Sequence, residues 1–308
     1  MATYLITQST GMQARWTIHH LLAAGGKVHA VVRDLQKVPP ALQDDPRITL
    51  FEGDSTNEAA IYAAAQGCEG VYLNTFPSPP SPVAESVQAR AVLSACKRAG
   101  VASVVAMTTF NTAEPALWST GPGHDLVGAY YAAKASVERE VRAAGLGAYT
   151  ILRPSFIHGD YLRPHARLNY PALATRGELA HALAPGVGML HVDEHDIGAY
   201  AAAALLDPAR FAGREIKLGN EVLTAGQVRD IMARVSGRAI QVRELGDGEA
   251  EEARKTASGI KFQLFANLRP PVAGVGEQVA AEFGIPFTSL ETYFQREKAR
   301  LLESLPPQ

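Results

Sequence analysis

Residues 4–15, YLITQSTGMQAR, decide how this chain is read. Tyr4, Leu5 and Ile6 form an apolar run that enters a small polar turn, and a helix-like segment follows over residues 16–24. Strand, tight turn and helix in that order bring free backbone N–H groups and the positive end of a helix dipole to one point. Such a point favours an anion, typically the pyrophosphate of a dinucleotide. The expected fingerprint is G-x-x-G-x-x-G or G-x-G-x-x-G, and the matching positions here are Gln8, Gly11 and Ala14. Gly11 is the position where backbone comes close to phosphate, and alanine at the third position only limits helix–strand packing. Gln8 is the departure: a side chain there is expected to narrow the pyrophosphate site or to shift the turn. Thr10, Gly11, Met12 and Gln13 are the candidate pyrophosphate contacts.

Working outward, short β-rich runs recur at residues 3–7, 28–32, 48–51, 71–75, 101–107 and 149–152, with helix-like segments at 57–66, 83–99 and 126–144 between them. Strand–helix alternation at this spacing predicts βαβ units, hence a parallel sheet covered on both faces. The fold class expected is α/β: a Rossmann-type doubly wound parallel sheet with a smaller C-terminal α+β substrate domain. Residues 1–155 are assigned to the dinucleotide-binding domain, with a returning strand and helix near 190–220, and residues 156–308 mainly to the substrate domain. The strand ends then share one edge, where ligands of such sheets bind. Two loops leave that edge, residues 76–82 and 110–123. Each reads equally as plain surface or as a wall of the site. A terminal helix is expected over 290–302, followed by a loose tail over 304–308.

At 308 residues with 47% apolar and 19% charged content, the chain suits a soluble globular protein that needs no disulfide staples. A net charge of −2 gives no basic footprint for nucleic acid or membrane surface. No apolar stretch approaches the ~20 residues of a transmembrane helix, and no leader is visible. Cys68 and Cys96 fit a reducing cytoplasm as two partly buried thiols.

The second strand ends in Val31-Val32-Arg33-Asp34, where dinucleotide folds meet the adenosine ribose. An acid there selects NAD; an arginine accommodates the 2′-phosphate of NADP. Arg33 comes first and Lys37 lies one turn further, which favours NADP(H); the alternative is two solvated charges. Asp54 ends the third strand and reads either as an acceptor for the adenine amino group or as part of the next helix's cap.

Tyr130 and Lys134 form Tyr-x-x-x-Lys on one helix face. Tyrosine ordinarily titrates near 10, and a neighbouring ammonium favours the phenolate. The same lysine can hydrogen-bond a nicotinamide ribose, and Thr108 and Thr109, at the end of the fifth strand, can hold a substrate carbonyl. Together these parts make a carbonyl reducer in which Tyr130 is the proton donor.

The order of these parts resembles the short-chain dehydrogenase/reductase superfamily, specifically its atypical NmrA-like branch. The residues that carry the resemblance are Ser9–Gly11, VVRD at 31–34, Gly53-Asp54, the threonine pair, Tyr130 with Lys134, LRPS at 152–155, and HVDEHDIGAYAAAALLDP at 191–208. The resemblance implies NADP(H), with Thr75, Pro154 and Ser155 joining the turn residues, Arg33, Lys37, Asp54 and Lys134 as cofactor contacts. It implies a reductase of a small aromatic or conjugated carbonyl or quinone, in which Lys134 can matter more than Tyr130. It also leaves two alternatives: an NADP(H)-sensing regulator without catalysis, and a scaffold repurposed for non-redox chemistry. Tyr130 tips the reading toward an enzyme. A homodimer rests on analogy alone.

Phe76, Phe110, Trp118, Phe156 and His158 are the candidate substrate contacts, with a core or surface role the plainer alternative for His158. His191 and His195 flank Asp193 and Glu194 but lack a second close pair of ligands, so no metal site is expected. His19 and His20 read as structural.

Overall fold

The computed structural model describes residues 1–76, 84–120 and 123–307. The loop expected over 76–82 therefore lies outside the described residues except for Phe76, and so do residues 121–122 of the second loop. The chain divides into two units: Met1–Ala113, Ala129–Pro154 and His195–Lys217 form the first, and Glu114–Gly128, Ser155–Glu194 and Leu218–Gln308 the second.

The first unit alternates strand and helix. Its elements are β1 (Thr3–Ile6), α1 (Met12–Ala23), β2 (Lys27–Val32), β3 (Ile48–Glu52), α2 (Glu58–Ala65), β4 (Gly70–Asn74), α3 (Ala84–Ala99), β5 (Ser103–Met107), α4 (Ala129–Ala143), β6 (Ala148–Pro154) and α5 (Glu194–Leu206), with a returning strand Arg214–Leu218. The sheet has seven strands in the order returning strand, β6, β5, β4, β1, β2, β3. The pairs β3–β2, β2–β1, β1–β4, β4–β5 and β5–β6 are all parallel. Strands buried on both faces need near-continuous apolar runs. β5 meets that demand: all of Ser103–Met107 is buried. From β1 the chain steps to β2 on one side and later to β4 on the other. The strand order reverses between β1 and β4, which opens a crevice at their C-terminal ends.

α4 begins later than the periodicity predicts because His124–Gly128 forms a separate wide turn ahead of it. α1 is held by α5 through Gly198, where an added Cβ would fall 2.5 Å from the Trp16 carbonyl carbon. Cys68 and Cys96 are buried, and burial pushes both thiols up to about 12, so neither is a ready nucleophile.

The second unit holds a three-stranded sheet ordered Glu221–Leu223, Met189–Val192, Phe156–Ile157, and a parallel pair, Gln241–Glu244 with Glu178–His181. Its core is aromatic: the rings of Tyr161 and Tyr170 stack at 5.1 Å, and Tyr293 and Phe294 are fully buried. Ser258–Leu268 adds a helix to this unit. Two expectations are corrected here. The terminal helix breaks at Glu297 into Leu290–Arg296 and Lys298–Glu303. The tail is anchored: Ser304 and Leu305 are buried, and the Arg238 guanidinium donates to the carbonyls of Leu302 (3.1 Å) and Pro306 (2.6 Å).

No helix among the described residues is long and apolar enough to cross a membrane.

Candidate active site

The turn between β1 and α1 is closed by its own backbone: Gly11 N–H donates to Gln8 O at 2.8 Å. The Ser9 hydroxyl donates to Ile6 O at 2.7 Å. Gly11 is the N-cap of α1, no side chain caps this helix, and its first turn contains no acid. Its leading N–H groups and dipole are therefore left to an external anion. Gln8 lies within this turn. It takes a left-handed φ of +52°, the conformation a glycine adopts freely and a glutamine holds under strain. Thr10 lies in the turn, Met12 and Gln13 open α1, and the Gln13 Oε1 is buried without a partner among the described residues. A narrow cleft of about 20 Å³, room for roughly one water-sized group, lies among Gln8, Ser9, Thr10, Val31, Val32, Arg33, Gly53 and Ser55. An uncapped helix of twelve residues, reached through a glycine turn with Arg33 beside it, fits a dinucleotide pyrophosphate and its adenosine half.

Arg33 is exposed at the end of β2. Asp34 turns away, accepting from Gln36 N–H and pairing with Lys37 at 2.8 Å. Lys37 is thus paired with Asp34 at the surface, while Arg33 lines the cleft. The Asp54 carboxyl is held below its ordinary value by the Thr56 hydroxyl first, then by the Thr56 amide, with a smaller contribution from Arg33. The cap of α2 is Asn57, whose Oδ1 accepts from Ala60 N–H at 3.1 Å, and not Asp54.

Across the switch point, β4 delivers Thr75 and α4 delivers Tyr130 and Lys134. Lys134 is buried and ion-paired to Glu85 of α3 at 2.6 Å. The same Glu85 oxygen accepts from the Thr75 hydroxyl at 2.5 Å, and the ammonium also donates to Thr75 O at 3.3 Å. Tyr130 is half-buried, with its ring edge-on to Tyr131 at 5.4 Å. Tyr131 is buried, and its hydroxyl accepts from Asn111 Nδ2 at 3.2 Å. Glu85, Asn111 and Tyr131 escaped the sequence reading. Their only signal was proximity to the ends of β4 and β5.

Thr108 does not present a free hydroxyl. It is buried and donates to Glu138 Oε1 at 2.9 Å. Glu138 also accepts from Thr112 (2.5 Å), from Arg153 through both oxygens (2.8 and 2.7 Å) and from Arg142 (2.8 Å). Burial alone would push this carboxyl up. Arg153 and the two hydroxyls outweigh it and hold Glu138 below its ordinary value. Thr109, half-buried, is the member of the pair not tied to Glu138.

The substrate candidates divide between the units. In the first, Phe76 is 56% exposed, and its backbone is clamped by the Gln88 amide at 3.0 and 2.8 Å. Phe110 is half-buried, with Lys217 Nζ 5.1 Å from its ring centre and its N–H donated to Pro154 O at 3.1 Å. In the second, Trp118 is buried, Phe156 packs edge-on to Tyr161, and Ser155 Oγ is buried without a partner among the described residues. His158 is sealed in the core beside Tyr293 and His191, and burial, followed by the charges of His191 and Arg296, favours its neutral form. Both of its ring nitrogens are buried without a partner among the described residues. Asp193 is taken by Arg296, Glu194 by Tyr293 and Gly159 N–H, and His191 by Tyr161. Among the described residues no group of three potential ligands is placed to hold a metal ion.

The sequence profile of the NmrA-like family matches residues 2–253. Among characterised proteins, a (4-alkanoyl-5-oxo-2,5-dihydrofuran-3-yl)methyl phosphate reductase from Streptomyces griseus is 27% identical over 270 residues, 87% of this chain and 83% of that one. A dihydroflavonol 4-reductase from Gerbera hybrida is 36% identical over 77 residues; that match spans 23% of this chain and 21% of the Gerbera enzyme. An Escherichia coli NADPH-dependent quinone oxidoreductase, solved with NADPH, superimposes with TM-score 0.74 at 21% identity over 96% of this chain and 99% of its own. The transcriptional regulator NmrA, solved with NADP, superimposes with TM-score 0.74 at 22% identity over 97% of each chain. These structural likenesses establish the Rossmann-type fold.

Proposed function

The chain belongs to the NmrA-like family, and on that premise we propose that it is an NADPH-dependent reductase of a small aromatic or conjugated carbonyl or quinone, working in the reducing cytoplasm. The observation that carries this reading is the uncapped, acid-free start of α1 with Arg33 beside its turn, on the same sheet edge as Thr75, Tyr130 and Lys134. Thr10, Gly11, Met12 and Gln13 hold the pyrophosphate, Arg33 meets the 2′-phosphate, Asp54 meets the adenine amino group, and Lys134 meets the nicotinamide ribose. Pro154 and Ser155 border the nicotinamide.

When bound, NADPH supplies a hydride. Thr109 donates a hydrogen bond to the substrate oxygen. Tyr130 passes its hydroxyl proton to that oxygen as the carbon receives the hydride, and solvent then returns the proton to Tyr130. The exposed ring of Phe76 and the Lys217-covered ring of Phe110 suit a flat conjugated substrate.

A second reading, an NADP(H)-responsive regulator without catalysis, is favoured by one observation: the Lys134 ammonium is already balanced by Glu85. A titration with NADPH and NADH at fixed salt, followed by turnover with naphthoquinones and enones, separates the two. The reductase reading expects tighter binding of NADPH than NADH, loss of that preference in Arg33→Ala, and oxidation of NADPH with substrate. Binding without turnover on any of these acceptors supports the regulator. Failure to bind either nucleotide sinks both.

A further inference from the structure

Lys134 and Glu85 lie 49 residues apart in sequence, on two different helices, and meet with side chains that are 7% and 2% exposed. Their hydrogen-bonding capacity is only partly used. An ammonium has three donors. Two go to Glu85 Oε2 at 2.6 Å and Thr75 O at 3.3 Å. A carboxylate has two oxygens. Oε2 takes both Lys134 and the Thr75 hydroxyl, while Oε1 is buried with no partner among the described residues. Buried polar atoms ordinarily find partners, and an exception asks for an explanation. A pair that existed only to join α3 to α4 would be expected to use both oxygens, as Glu138 does one turn further along α4.

We propose that Glu85 is a cofactor-binding residue: with Lys134 it forms a donor–acceptor pair for the vicinal hydroxyls of the nicotinamide ribose. The third N–H of Lys134 donates to one hydroxyl, and Glu85 Oε1 accepts from its neighbour. A cis-diol, with one oxygen accepting and the adjacent hydroxyl donating, is the chemical class such a pair recognises. Thr75 fixes the pair from the strand side by donating its hydroxyl to the carboxylate and offering its carbonyl to the ammonium. Glu85 thus serves two ends, holding Lys134 in place and reading the sugar. This inference rests on the NADPH reading above, and its test distinguishes the two.

The probes are NADPH and adenosine 2′,5′-bisphosphate, which carries the 2′-phosphate but lacks the nicotinamide ribose. Their dissociation constants are measured on the wild-type protein and on Glu85→Gln. The glutamine keeps the side chain's size but not its charge. The proposal expects NADPH binding to weaken about tenfold, the size of one charge-assisted hydrogen bond, with the bisphosphate changed less than about twofold. If NADPH binds the variant as tightly as wild type, or both probes weaken equally, Glu85 only supports the fold and the inference fails while the NADPH reading stands. If wild type binds neither probe, the NADPH reading fails and takes the inference with it. Should Glu85→Gln not fold, Glu85→Asp keeps Lys134 and the negative charge beside it but draws the carboxylate back by one methylene, out of reach of the sugar. The same selective loss of NADPH is expected from it.

Discussion

Lys134 and Glu138 stand one turn apart on α4, and each anchors a buried ion pair. Glu138 receives Thr108, Thr112, Arg142 and Arg153, so both of its oxygens are fully engaged. Arg153 and Arg142 pass the charge on to Glu215 at 2.5 and 2.7 Å. This network ties α4 to β5, β6 and the returning strand. At Lys134 the same helix meets a carboxylate with one oxygen that has no partner among the described residues. Removing charges from water is offset only when every lone pair and proton finds a partner. The Glu138 centre satisfies that condition by itself. The Lys134 centre does not satisfy it with the described residues alone. A saturated buried network marks where the fold is held, and an unsaturated one marks where a ligand completes the structure.

The largest effect follows from breaking the saturated side. Glu138→Ala leaves Arg153 buried without its main partner and is expected to cost about 3–5 kcal/mol of stability, read by denaturant unfolding. The pH dependence has a definite sign. The folded protein holds Glu138 below its ordinary value of 4.5. Its contribution is therefore complete above that pH and is lost as pH falls through the lower folded value. An acid-unfolding limb in wild type that is flattened in Glu138→Gln checks this.

Next in size are the two tyrosines. Tyr130→Phe should lower turnover about 100-fold, the range of one positioned proton donor. Tyr131→Phe loses the hydrogen bond from Asn111 and should cost about 1 kcal/mol of stability, with turnover little changed. The reverse outcome would move the proton donor to Tyr131.

At the adenosine end, Arg33→Ala should weaken NADPH about 10- to 100-fold, the value of a charge-assisted contact to phosphate, and leave NADH unaffected. Lys37→Ala, which removes an 83% exposed ammonium paired with Asp34, should change either nucleotide less than about twofold. The smallest effect is expected at Gln8. Relief of its left-handed strain in Gln8→Gly, set against the greater freedom of glycine in the unfolded chain, leaves a stability change within about 1 kcal/mol. NADPH affinity should rise, and calorimetry reads both.

The contrast between the two centres also marks what the sequence could reveal. Local patterns were legible: the six strand runs with helices between most of them, the Gly11 turn, and Arg33 at a strand end all follow from residues adjacent in the chain. Side-chain partnerships across long separations were not. Glu85 looks like an ordinary acid in the first turn of a helix until its partner 49 residues away is placed. Thr108 looked free because Glu138, 30 residues on, could not be aimed from sequence. Lys37 looked available because nothing in VVRD reveals that Asp34 turns toward it. The tail read as loose from its place at the chain's end, yet Arg238 bonds to Pro306 across 68 residues. The second unit resisted for another reason. Its strands, such as Phe156–Ile157, are too short to show a period.

The most direct measurement is single-turnover hydride transfer from NADPH to a naphthoquinone in the Lys134→Met/Glu85→Leu variant, with the melting temperature taken on the same preparation. The account predicts a melting temperature close to wild type and a transfer rate lowered about 100-fold. A wild-type rate in a well-folded variant would contradict it, because the unsaturated pair would then have no part in the chemistry.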